Sequence, residues 1–187
     1  MYEPSDDSRS DHTLIAALNA GDGSAFEPLY RRHRDWVVQL AARITGDEDL
    51  ALDVLQETFL YLLRKFPGFK LTCQLRSFLY PAVRNLALAA RRKAIRTQSD
   101  GTEPVDLDLP APEPPVEPDA DRERLAVALA NLPEHQREVL LLRFVDGFRL
   151  QEIAAALGIP LGTVKSRLHL ALAALRADAR TREMFGR

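Results

Sequence analysis

The strongest constraint on this chain is a stretch that neither a helix nor a central strand can cross. Pro104, Pro110, Pro112, Pro114, Pro115 and Pro118, half of the twelve prolines, fall between residues 98 and 119. Each lacks a backbone donor and pushes its predecessor out of the helical region. The segment reads as an extended linker, partly polyproline-like. It divides the 187 residues into two blocks, each the size of a small domain. Hydrophobic residues make up 46% of the chain, enough for both blocks to be packed.

Charge follows the same division. Residues 1–30 carry one base and six acids, and residues 31–96 carry thirteen bases and six acids. Residues 97–123 carry one base and nine acids, and residues 124–187 carry ten bases and six acids. The total of −2 conceals two basic blocks, at +7 and +4, on either side of an acidic linker at −8. Segregation of this kind suits two separate surfaces for an anionic partner. The linker itself has two readings, a passive tether or a segment that lies in a basic channel of a partner.

The first block has helical periodicity and little strand signal. A short helix is expected from Asp11 to Ala20, ended by Gly21. Ser24-Ala-Phe-Glu27 has the form of a capping box and predicts a helix start, with the helix running through Trp36, Val37, Leu40 and Ile44 to Gly46. The next is predicted over 47–66 and stopped by Pro67-Gly68. Leu52, Leu55, Phe59, Leu62, Leu63 and Phe66 form its expected core stripe, with Asp49, Asp53, Gln56 and Glu57 on the other side. Taken alone, such a polar side is a solvated face. A fourth helix is predicted from Leu75 to Arg96. It carries Arg84, Asn85, Arg91, Arg92, Lys93 and Arg96, and no acid occurs from Gln74 to Gln98.

The second block is helical as well. One helix is expected over 120–131, and a second starts at Pro133 as its first helical residue. Leu150 to Arg176 then shows two helices about a tight turn at Gly158, the second beginning near Gly162. Ile153, Ala154 and Leu157 are expected inside on the first, and Val164, Leu168, Ala171 and Leu175 on the second. This is a helix-turn-helix pattern, with a small Ala154 at the crossing and a glycine for the turn. The outer face of the second helix presents Thr163, Lys165, Ser166, Arg167 and His169, all suited to phosphates and base edges. An ordinary helical hairpin with a solvated face is the alternative; the coincidence of spacing, small residue, glycine and donors favours DNA binding.

Asp53-Val-Leu-Gln56-Glu57-Thr-Phe59, Arg84-Asn85-Leu-Ala with Arg91-Arg92-Lys93, and Leu132-Pro133 with Glu152-Ile153-Ala154 and Gly162 to Leu168 together resemble a known family. It is the extracytoplasmic-function group of the bacterial sigma-70 family, the alternative sigma factors that confer promoter specificity on RNA polymerase. The order matches over residues 11–176. The resemblance implies an all-α fold with sigma region 2 (11–97) and sigma region 4 (120–178) on either side of the acidic linker (98–119); residues 1–10 are expected to be disordered and 179–187 to form a tail. It implies that Asp49, Asp53, Gln56 and Glu57 dock on the clamp coiled coil of core polymerase, with the flap as a further contact. It implies that Gln74, Phe78, Arg84, Asn85, Arg91, Arg92 and Lys93 contact and help melt the −10 element, the loop from Gly68 to Gln74 capturing an unstacked base. Thr163, Lys165, Ser166, Arg167 and His169 would read the −35 duplex. The linker would thread toward the RNA exit path, and an anti-sigma protein would hold the factor inactive.

The chain departs from the family pattern at five positions. Phe78 replaces a common Trp, Ala89 a common Asp and Leu170 a frequent base. Pro81 stands at a helix-former position, where a kink is expected. Arg149 replaces a capping Ser or Thr, a loss of about 1 kcal/mol. These bear on which promoter is read, not on the class.

Other classes fit less well. A stand-alone helix-turn-helix repressor or response-regulator output domain leaves the Asp53 to Phe59 block unexplained, and no alternating strand–helix pattern marks a receiver domain. No P-loop, dinucleotide turn, nucleophile elbow or metal-spaced cluster is present, so no enzyme activity, cofactor, metal or small-molecule substrate is expected. His12, His33 and His135 are expected at the surface or in helix packing. Cys73 is the one cysteine, which excludes a disulfide framework and fits a reducing cytoplasm. No run approaches the roughly 18 apolar residues of a membrane span, and the acidic start is unlike a secretory signal.

Overall fold

A computed structural model describes residues 7–99 and 120–181, and all regular structure among them is helical. The chain divides into two compact units. The division falls within the predicted linker, whose first two residues, 98–99, are helical instead; residues 100–119 lie outside the described residues, as do 1–6 and 182–187.

The first unit has four helices: α1 (Asp11–Asn19), α2 (Phe26–Thr45), α3 (Glu48–Leu63) and α4 (Leu75–Ser99). Helix α1 is capped by Ser10, whose hydroxyl accepts from the Thr13 N–H at 3.2 Å. The expected capping box at Ser24–Glu27 does not form. A 3₁₀ turn (Gly23–Ala25) intervenes, and Asp22 caps it, its carboxylate accepting from both the Ser24 N–H (3.0 Å) and the Ser24 hydroxyl (2.6 Å). Ser24 is therefore a donor, where the box needs it as an acceptor. Helix α2 ends as expected at Gly46, whose φ of +74° is readily adopted by a residue without Cβ.

Helix α3 is capped by Asp47 and stops at Leu63, earlier than expected. Its buried stripe is Ala51, Val54, Leu55, Thr58, Phe59 and Leu62. Leu52 and Leu63, assigned to the core from spacing, are exposed instead, and Phe66 is half-buried in the following loop. Helix α4 continues unbroken through Pro81 and past the expected end at Arg96. It buries Leu75, Leu79, Tyr80, Val83 and Ala87 against α2 and α3. The core they share includes Leu29, Val37 and Leu40 of α2.

The second unit has α5 (Ala120–Ala130), α6 (Glu134–Phe144), α7 (Leu150–Leu157) and α8 (Leu161–Ala177). Pro133 stands at the N-cap position, just outside α6, rather than as its first residue, and no side chain caps that helix start. Ala128, Leu132, Leu140, Ala171 and Leu175 pack together, with Leu129, Leu168 and Leu172 against them. In α7 the buried residues are Ile153 and Ala156; Ala154 and Leu157, expected inside, are half-buried. The turn is as predicted, with Gly158 at φ +63° and the Ile159 N–H donating to the Ala154 carbonyl at 3.1 Å. Helix α8 begins one residue before the expected Gly162, after Pro160.

Candidate nucleic-acid interface

Three surfaces carry the candidate residues. On α3, Asp49, Asp53, Gln56 and Glu57 are all exposed and share the side opposite the buried stripe. Leu52, Leu60 and Leu63 lie on that same side and are 38–49% exposed. The face is thus acidic with apolar residues set into it, a pattern suited to a partner offering both basic and apolar groups.

On α4 the candidates do not converge on one point. Gln74, just before the helix, and Lys93 are separated by about 28 Å along the axis at 1.5 Å per residue. Gln74, Asn85, Arg91, Arg92 and Lys93 are exposed, whereas Phe78 and Arg84 are half-buried. Gln74, Phe78, Asn85 and Arg92 project from one side of the helix, near 100° multiples that return to the same direction. This makes a long polar and basic row with an aromatic group at its N-terminal end.

That aromatic end is larger than the sequence reading anticipated. The Phe78 ring stacks on Tyr61 at 6.0 Å between centroids and with 20° between planes, and Phe69 lies 4.7 Å from Phe78. Phe66 meets Phe69 edge-on at 5.6 Å, and the Lys65 ammonium sits 4.6 Å over the Tyr61 ring. The loop that carries Phe66 and Phe69 is fastened to α1. The Asn19 carboxamide oxygen accepts from the Gly68 N–H (2.7 Å) and the Phe69 N–H (3.0 Å), and its amide donates to the Phe69 carbonyl at 2.8 Å. Tyr61, Lys65 and Asn19 carry no motif that marks them; Phe78 is a candidate from sequence, and Phe69 falls within the candidate loop from Gly68 to Gln74.

The opposite end of α1 is fastened to α2. The Arg32 guanidinium donates to Asp11 at 2.5 Å and to the backbone carbonyls of Asp7 and Arg9. The buried His33 ring places Nε2 2.9 Å from the Asp11 carboxylate, while its Nδ1 is buried with no partner. Partial burial pushes the Asp11 carboxyl up, but the His33 and Arg32 contacts outweigh it and hold it below the ordinary value. Bonding to Arg9 lowers Asp7 to about 2.

On α8, Lys165, Ser166 and His169 are exposed, and Thr163 and Arg167 are half-buried at the flanks of the buried Val164–Ala171–Leu175 line. The Ser166 hydroxyl donates to the Gly162 carbonyl at 3.1 Å, which leaves its lone pairs outward. No side chain caps the start of α8. Arg149 likewise supplies no cap to α7, but Glu152 reaches back and accepts from the Arg149 N–H at 2.6 Å. His12 and His135 are at or near the surface, and no group of three metal-binding side chains occurs among the described residues.

The family Sigma-70 region 2 matches residues 29–97, and the family Sigma-70, region 4 matches residues 122–175. The ECF RNA polymerase sigma factor SigL of Mycobacterium tuberculosis is 33% identical over 171 residues, covering 87% of this chain and 93% of SigL. The chain is an ECF sigma factor of the sigma-70 family. Among solved structures it is similar to CnrH in complex with the cytosolic domain of CnrY, with a TM-score of 0.64 at 26% identity, covering 89% of this chain and 95% of that one. It is also similar to the sigma factor RpoE in complex with the anti-sigma factor NepR from Bartonella quintana, with a TM-score of 0.50 at 25% identity, covering 88% and 90%. As a sigma factor it binds core RNA polymerase and promoter DNA and directs the polymerase to promoters; it is not an enzyme. No helix among the described residues is long and apolar enough to cross a membrane.

Proposed function

We propose a division of labour among these surfaces. Helix α8 enters the major groove of the −35 element, with Lys165, Ser166, Arg167 and Thr163 at its reading end and His169 one turn further. The outward placement of Lys165 and Ser166, beside a core-facing Val164 in the second helix of a helix-turn-helix, carries this reading. Helix α4 follows the −10 element, with Arg84, Asn85, Arg91, Arg92 and Lys93 along the strand and Gln74 and Phe78 at the melted end. An unstacked base is taken up at the loop of 68–74, whose aromatic neighbours supply a stacking surface. The acidic and apolar side of α3 docks on the clamp coiled coil of core polymerase, and the second unit on the flap. The acidic linker threads toward the RNA exit path, where its charge mimics a nucleic-acid strand. An anti-sigma protein holds the factor inactive, as the RpoE complex suggests for this chain.

The test is run-off transcription of genomic fragments by core polymerase with the full-length chain. A defined subset of promoters is expected, and weakened output when either hexamer of such a promoter is scrambled. The double substitution Asp53→Lys with Glu57→Lys is expected to lower affinity for core polymerase at least tenfold while leaving the far-ultraviolet spectrum unchanged. Undiminished core affinity would move the docking face elsewhere.

A further inference from the structure

The loop between α3 and α4, residues 64–74, has no regular structure, so its backbone polar groups need partners from elsewhere. Three of them, on two consecutive residues, are satisfied by one side chain about fifty positions away, Asn19. The bonds fix Gly68 at φ +94°, a left-handed backbone that a residue with Cβ adopts only under strain, and with it the direction in which Phe69 leaves the chain. Phe69 is the ring that joins the loop to Phe78 and so to Tyr61. Asn19 is itself held at the end of a helix whose start is tied to α2 through Asp11, Arg32 and His33. Helix α1 is thus a strut fastened at both ends, to the helical core at one and to the loop at the other.

We infer that Asn19 is a positioning residue for promoter melting: it presets the Phe69–Phe78–Tyr61 rings and the adjoining loop to receive the unstacked −10 base. The inference rests on the reading of 68–74 as the base-capturing loop. A flipped base must recover its lost stacking on a surface already in place, because a loop that orders only on binding adds its ordering cost to that of unstacking. Three hydrogen bonds from a single carboxamide preset this one. Asn19 touches no DNA in this account; it acts through the loop.

The experiment uses holoenzyme assembled from core polymerase and the full-length chain. The probes are fluorescent single strands covering the −10 element of a promoter the holoenzyme transcribes, and the same strand with each position in turn made abasic. With the unaltered chain, one abasic position is expected to weaken binding at least tenfold. In Asn19→Ala that penalty is expected to fall to twofold or less, with affinity for the abasic strand itself within twofold of the unaltered value. Asn19→Asp keeps the two acceptor bonds and loses the donor to Phe69, and its penalty is expected to fall in between. An undiminished penalty in Asn19→Ala overturns the positioning role. Equal weakening on both strands also overturns it, since that is what a general loosening of the unit produces. If Asn19→Ala fails to fold, Asn19→Asp decides by the same two criteria. If the unaltered chain shows no position-specific penalty, the base-capture reading fails first, and this role fails with it.

Discussion

The two units solve different mechanical problems. In the first, distant segments are cross-tied by side chains: Asp11 to Arg32 and His33, and Asn19 to Gly68 and Phe69. In the second, Arg143 bonds to the Phe148 carbonyl, Arg137 to the Ala130 carbonyl and Thr181 to the Leu175 carbonyl, all within seven positions along the chain. A rigid helix offered to an intact groove needs only to be packed on its neighbours, and apolar contacts do that. A loop that receives a base pulled from a duplex must be held in an irregular shape, and packing alone does not specify one. Directional hydrogen bonds do.

The largest effects are expected in the cores, where the two units are alike. Leu62→Ala and Ile153→Ala each empty a fully buried site and should cost about 3 kcal/mol in urea denaturation, with little change in slope. Next come the proposed DNA contacts of the second unit. Arg167→Ala is expected to cost about 1–3 kcal/mol in −35 affinity, and Lys165→Ala to reduce the slope of log affinity against log salt by about 1, both read by titration at several ionic strengths.

Acid should then separate the units. The folded Asp11 and Asp7 carboxyls lie below their ordinary value of 3.8, and Asp7 reaches about 2. A lowered folded value means the unfolded chain takes up protons first, so the stabilisation is complete above about pH 4 and fades as the pH falls toward 2. Asp11→Asn is expected to flatten this acid dependence in melting curves followed at Trp36, which lies in the first unit. The smallest effect is at Arg149. Serine there would add the missing half of the reciprocal cap that Glu152 already provides, a gain of about 0.5–1 kcal/mol in the second unit.

Which of these features the sequence reveals depends on range. The helix-turn-helix is legible because its signals are local: Gly158 for the turn, Val164, Leu168, Ala171 and Leu175 at 4-, 3- and 4-residue steps, and donors between them. The phase of α3 was not fully legible. Leu52 and Leu63 satisfy a helical spacing as well as Val54 and Leu62 do, and the true stripe contains Thr58, which is fully buried and polar. Hydropathy cannot select a threonine over a leucine; the space between α2 and α4 does. In the same way three successive alanines, 154 to 156, give no local reason why Ala156 rather than Ala154 is innermost. Asn19 was invisible for a stronger reason, since its partners lie 49 and 50 positions away and are backbone atoms. Backbone atoms leave no residue signature.

The leucines set into the acidic side of α3 have a consequence for the free protein. Bare apolar residues on a helix invite two copies to associate through them. Here Leu52, Leu60 and Leu63 share their surface with Asp49, Asp53 and Glu57, so two copies brought face to face would meet carboxylate against carboxylate. A basic partner reverses the sign of that encounter and reaches the same leucines. The charges act as a filter on what covers the apolar patch, disfavouring a second copy of the chain and favouring a surface of opposite charge.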